Sequence, residues 1–131
     1  MILYINTNSK EEIKFFISDE SGKILNSIIY KIDYKDSQKI LTLLDDFLIS
    51  SNLKISNVEY LVIVNGPGIN MNFRIGIIMT NALAYSLNIP IATILSTEFN
   101  TDEDFVKLGS QKILDKNYSK IVLPEYSIKP N

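Results

Sequence analysis

The period of the apolar positions changes several times along this chain, and each change predicts an element. Tyr60 to Val64 is an unbroken apolar run rich in β-branched residues, the pattern of a central strand covered on both faces. Asn65-Gly66-Pro67-Gly68 ends it. From Phe73 to Leu87 the spacing is helical, opened by Asn70 or Asn72 as N-cap and closed by Asn88 just before Ile89-Pro90. Ile91 to Leu95 is a second apolar run. A strand, a helix of about four turns and a parallel strand predict one right-handed βαβ unit.

The preceding segment predicts an antiparallel meander. Ile2 to Ile5 is a short strand ending in the turn-forming Asn6-Thr7-Asn8-Ser9. Ile13, Phe15 and Ile17 alternate on one face of a second strand, Asp19-Glu20-Ser21-Gly22 is a hairpin loop, and Ile24 to Ile32 returns as the third strand. A helix follows, capped by Asp36 or Ser37 and running to Ser51, with Ile40, Leu41, Leu43, Leu44, Phe47 and Leu48 at helical spacing and Asn52 as its left-handed stop. Beyond Leu95, Thr101 caps an acid-rich turn of a helix reaching about Lys116, with Phe105, Val106, Leu108, Ile113 and Leu114 as its apolar set. Gly109 weakens that helix by about 1 kcal/mol. Ile121 to Leu123 reads as a last short strand, and Pro124 begins a tail.

Two helices carry more apolar surface than one sheet face requires. The stripe of helix 37–51 is wide, and helix 73–87 is apolar or small nearly all round, with Gly76, Ala82 and Ala84 permitting close approach. Surplus apolar surface on a small domain points to a partner, and the candidates are Ile40, Leu43, Leu44, Phe47, Ile77, Ile78, Asn81 and Tyr85. Core packing alone accounts for at least half of this surface, and the pattern leaves open which of Leu44 and Ile78 faces outward.

Composition narrows the chemistry. At 131 residues the chain is expected to be a single domain, and 46% hydrophobic against 21% charged residues place it among globular proteins. No apolar run approaches the ~18 residues of a membrane span, and Met1-Ile2-Leu3 lacks a basic start, so a cytoplasmic location is expected. With no Cys and no His, thiolate nucleophiles, imidazole bases, disulfides and the common zinc sites are excluded. The 13 basic and 15 acidic residues are spread without blocks, leaving no footprint for independent nucleic-acid binding.

The candidate chemistry is confined to one loop. Gly66-Pro67-Gly68 lies between a buried strand and a helix N-terminus, where α/β folds gather ligands and free amides meet anions. Pro67 offers no donor and no Gly-Lys-Ser/Thr follows, so a tight structural turn is the competing reading. Arg74, the single arginine, sits in the first helical turn, where its charge opposes the helix dipole. It is suited either to an anion or partner contact or to an internal tie to loop carbonyls or a carboxylate. Asn6 ends the first strand, where a carboxylate would hold a magnesium-bound phosphate; an amide cannot supply that charge. No metal ligands or cofactor are indicated.

These residues resemble the TsaB (YeaZ) family. ILYINTN is similar to that family's Ile-Leu-Ala-Ile-Asp-Thr-Ser opening, DSQKILTLLDDFL to its His-Ser-Gln-Arg-Leu-Leu-Pro helix, and NGPGINMNFRIGIIMTNALAYSLNIPI to its Gly-Pro-Gly-Ser-Phe-Thr-Gly-Leu-Arg-Ile-Gly loop, alanine-rich helix and Gly-Ile-Pro turn. Gly66, Pro67, Gly68, Arg74, Gly76, Ala82, Leu83, Ala84 and Pro90 fall in register. The match covers about residues 1–97, and PEYSIK echoes a Pro-x-Tyr-Leu-Arg ending. Some 25 residues stand where full members carry a second lobe, and Asn6 and Asp36 replace the usual Asp and His. The resemblance implies an actin-like, RNase H-like α/β lobe with a mixed five-strand sheet of order 3-2-1-4-5, here residues 1–97, followed by a short C-terminal helix and tail over 98–131. It also implies a non-catalytic subunit of the machinery that modifies tRNA with threonylcarbamoyladenosine. Such subunits pair with a TsaD-type catalytic subunit, or with a second copy when alone, through a helix bundle. A TsaE-type ATPase is a further candidate partner, and tRNA is reached only through the complex.

Overall fold

The computed structural model describes residues 1–126. Five strands, β1 (Ile2–Asn6), β2 (Glu12–Ser18), β3 (Ile24–Lys31), β4 (Tyr60–Val64) and β5 (Ile91–Ile94), form one mixed sheet in the order β3-β2-β1-β4-β5. The central strand β1 is antiparallel to β2, with Ile5 opposite Phe15, and parallel to β4, with Ile5 opposite Ile63. Parallel strands need a long crossover, and between β4 and β5 it is the helix α2 (Met71–Leu87). The predicted meander, βαβ unit and strand order are all present.

Alternation along β1 divides the interior in two. Leu3 and Ile5 join Ile13, Phe15, Leu61 and Ile63 beneath α1 (Ile40–Ser50) and α2, whereas Ile2 and Tyr4 join Phe16, Val62 and Val64 beneath α3 (Asp102–Leu114). β4 is apolar on both faces because both are covered. Phe15 stacks on Phe47 of α1 at 5.9 Å, and Phe105 of α3 meets Tyr4 edge-on at the same distance. Each such buried ring stabilises the fold by about 1.5–3 kcal/mol.

Several boundaries differ from those the sequence predicts, each for a local reason. Asp33, not Asp36 or Ser37, opens the first helical segment, its carboxylate accepting from the Lys35 amide at 3.0 Å. That segment, Tyr34–Lys39, is a 3₁₀ turn, since Asp36 has non-helical φ −105°, ψ 20°, and the α-helix proper starts at Ile40. Buried Ser37 serves as a tie, with its hydroxyl 2.5 Å from both the Tyr34 carbonyl and Asn72 Oδ1. Asn70 caps α2, accepting from the Phe73 amide at 3.0 Å, and Asn52 and Asn88 are left-handed at φ 58° and 55°. Thr101 caps α3, which stops at Leu114 rather than Lys116 because Lys116 is itself left-handed at φ 57°. Leu108 and Leu114 of the apolar set predicted there are exposed.

Gly109 is explained by the sheet beneath it. A Cβ there would stand 2.7 Å from Val62 and 2.9 Å from Tyr4, so the glycine lets α3 lie close on β4 and β1. Residues 121–123 form no strand. After one bridge between Ser119 and Ile91 the segment leaves the edge of β5 and crosses toward the glycine loop. Of the PEYSIK ending, Tyr126 forms a bridge with Gly68, and Ser127-Ile128-Lys129 lie outside the described residues.

Candidate functional site

The outer faces of α1 and α2 present the larger candidate surface. Ile40, Leu44, Phe47 and Ile77, expected at a partner contact, point instead into the core: each is at most 4% exposed, packed against β1, β2 and β4. The sheet claims the centre of each stripe, so these four side chains serve chiefly the core of the folded lobe. Leu43 is half-buried against the same core. Ile78 is 63% and Tyr85 90% exposed. On α1, Leu41 and Ile49, each about one turn from Asp45 on either side, add a second exposed pair. The wide stripe read from the sequence includes Leu41 and leaves out Ile49; their spacing of eight residues from each other, and of four from Asp45, is the signal that separates an outward edge. Between the helices Leu41, Leu44, Leu48, Ile55 and Leu83 line an apolar groove of about 400 Å³.

The glycine loop is packed against the chain's own tail. Gly66 has φ +79°, a conformation that glycine adopts freely, and a Cβ there would collide with the Glu125 carbonyl oxygen. The peptide bond from Gly66 to Pro67 is cis. The Gly68 amide, the donor expected for an anion, donates to the Glu125 carbonyl at 3.0 Å, and the Gly66 carbonyl accepts from Ser96 at 2.6 Å. Arg74 is exposed, with its guanidinium carbon 5.8 Å above the Tyr126 ring, and Tyr126 meets Phe73 edge-on at the same separation. Neither reading of Arg74 from the sequence includes this aromatic contact. Asn81, expected at the partner surface, bonds instead to Val122, donating to its carbonyl at 2.9 Å and accepting from its amide at 2.8 Å.

A smaller cleft of about 250 Å³ opens at the C-terminal ends of β1 and β4, lined by Asn6, Asn8, Ser9, Lys14, Ser96 and Phe99 among others. Asn6 turns its Oδ1 to the Asn8 amide at 3.2 Å. Lys14 lies 2.9 Å from Asp102 and 3.8 Å from Glu12, so its charge is matched by carboxylates already in place. A magnesium-bound phosphate does not fit this donor set. Among the described residues no group of three His, Cys, Asp or Glu is placed to hold a metal ion, and no helix is long and apolar enough to cross a membrane.

Sheet order, the split core and a strand–glycine loop–helix crossover at its centre define an actin-like, RNase H-like lobe. Two solved structures share this arrangement: YeaZ from Pseudomonas aeruginosa, at 24% identity and a TM-score of 0.62, covering 72% of this chain and 43% of that one, and an uncharacterized protein with similarity to peptidase YEAZ from the same organism, at 24% and 0.62, covering 72% and 42%. The chain therefore spans less than half the length of these structures. The family model of TsaD, tRNA N6-adenosine threonylcarbamoyltransferase, matches residues 30–111, and the chain belongs to this family. No curated protein sequence matches it.

Proposed function

We propose that this chain is a TsaB-like scaffold subunit in tRNA threonylcarbamoyladenosine modification, contributing no catalytic group and supporting a TsaD-type transferase through its helix pair. The observation that carries this reading is the apolar surface left uncovered on α1 and α2: Leu41, Ile49, Ile78 and Tyr85 are between 56% and 90% exposed, and Leu41 and Leu83 line the groove between the helices. Large apolar side chains left uncovered on two neighbouring helices of a small lobe suit an interaction surface. Ile78, Tyr85 and Leu43 remain from the residues expected there, joined by Leu41 and Ile49. In the absence of the transferase the same surface pairs two copies of the chain, and tRNA is contacted only by the assembled complex. The rival reading, an anion site at Gly66-Pro67-Gly68 and Arg74, is disfavoured by the tail, which engages the Gly68 amide and the Arg74 guanidinium.

Light scattering after size exclusion, on the chain alone and mixed with a TsaD-type protein, tests the proposal. A one-to-one complex that Ile78→Asp abolishes is expected. Unchanged elution of a folded chain in the mixture overturns it.

A further inference from the structure

Residues 119–126 are held as a bound peptide is held. The Ile91 amide donates to the Ser119 carbonyl at 2.7 Å and the Ser119 amide to the Ile91 carbonyl at 2.9 Å, as a strand joins a sheet edge. Beyond that bridge, side-chain amides replace the ladder. Asn81 takes both backbone groups of Val122, and Asn65 donates to the Leu123 carbonyl at 3.0 Å and accepts from the Glu125 amide at 3.2 Å. Gly68 then bonds the Glu125 carbonyl. Two side chains anchor the segment: Val122, 2% exposed in the core beneath α2, and Tyr126 against Phe73 and Arg74. Ile121 and Leu123, on either side of the buried valine, are 60% and 76% exposed.

None of these bonds reaches α3, the element from which the segment emerges; the last tie to that helix is the Asn117 amide on the Lys112 carbonyl at 2.8 Å. Left-handed Lys116 makes the turn between them. The receptor groups, on β5, α2 and the glycine loop, are therefore independent of which chain supplies the peptide. We propose that this flank is an extended-peptide groove, holding residues 119–126 of its own chain in cis and accepting the same segment of a second copy in trans. An identical segment reproduces every bond, which makes exchange between copies inexpensive. It recognises an aliphatic residue, whose own backbone Asn81 reads, and an aromatic four positions later, with the backbone between them read by Asn65. This inference is independent of the helix-pair surface.

The test uses the full chain and a fluorescent peptide of residues 117–126. Val122→Asp in the chain removes the resident anchor and opens the groove to the probe. This variant is expected to bind the peptide at least tenfold more tightly than the unaltered chain, and adding Asn81→Ala is expected to remove that gain. A folded Val122→Asp chain that ignores the peptide, or binds it regardless of Asn81, overturns the proposal. Hydrogen exchange on the unaltered chain decides independently of how the variants fold. Exchange at Val122 and Glu125 at least tenfold faster than at Thr80 of α2 is expected, and protection equal to Thr80 overturns a releasable segment. Because the chain has no cysteine, Arg74→Cys and Tyr126→Cys chains can be mixed at high concentration and joined by a short bis-maleimide. A heterodimer linked between these positions is expected, and its absence, when the doubly substituted chain closes on itself, overturns exchange between copies.

Discussion

Single residues decide how closely the layers approach. Gly76 lies against Thr7, a fully buried residue whose side chain a Cβ would overlap. Gly76→Ala is expected to destabilise the fold by about 1–3 kcal/mol, the usual cost of overpacking, and Thr7→Ala in the same chain to restore part of it; thermal melting of the two variants beside the unaltered chain checks this. The Thr7 hydroxyl has no hydrogen-bond partner among the described residues, which matches a position set by shape rather than polarity. Asp19 organises the hairpin loop, accepting from the Ser21 hydroxyl and from the amides of Ser21 and Lys23. These bonds, the Ser21 hydroxyl first, hold its carboxyl below the ordinary 3.8. A depressed carboxyl stabilises the fold at pH above its unfolded value and loses that contribution as the pH falls through the folded one. The β2–β3 turn is thus expected to loosen only below about pH 3.8, and Asp19→Asn to lose this acid response. Titration of the Asp19 carboxyl by NMR checks the direction.

At the scale of elements, the two faces of a helix separate stability from association. Leu44 is 1% exposed on the inner side of α1, and a charge there has no partner within the core. Leu44→Asp is expected to unfold the lobe, whereas Ile78→Asp should change stability by less than about 1 kcal/mol and act only on assembly. Chemical denaturation of each variant beside its elution profile distinguishes the two effects. The existence and order of these elements were legible in the chain, because periodicity reports burial directly: β4 is an unbroken apolar run, and Asn52, Asn70, Asn88 and Thr101 mark ends by their own side-chain chemistry. The start of α1 was not, because Asp33, Asp36 and Ser37 are all good caps and only the 3₁₀ geometry selects the first. Residues 121–123 have a strand's composition, yet the neighbouring edge turns away after Ser119, so Asn81 and Asn65 take their backbone groups instead.

For the whole molecule, the two apolar clusters share the strands that separate them, Leu3 and Ile5 facing one and Ile2 and Tyr4 the other. Neither can be lost while the other persists. Unfolding is expected as one transition, with far-ultraviolet circular dichroism and tyrosine fluorescence coincident; an earlier loss of the α3 side would contradict shared strands. By itself, the sequence determined the sheet's elements, the absence of cysteine and histidine chemistry, and the family, through a glycine loop and a helix pair whose spacing is written in consecutive residues. Tertiary structure alone decided which helix residues face out, since a wide stripe is divided only by the sheet it meets. It also decided that the glycine loop receives the chain's own tail. Asn65 and Asn81 lie some 40 to 60 positions before the residues they hold, and hydrogen bonds between such distant positions leave no period for a linear reading to detect.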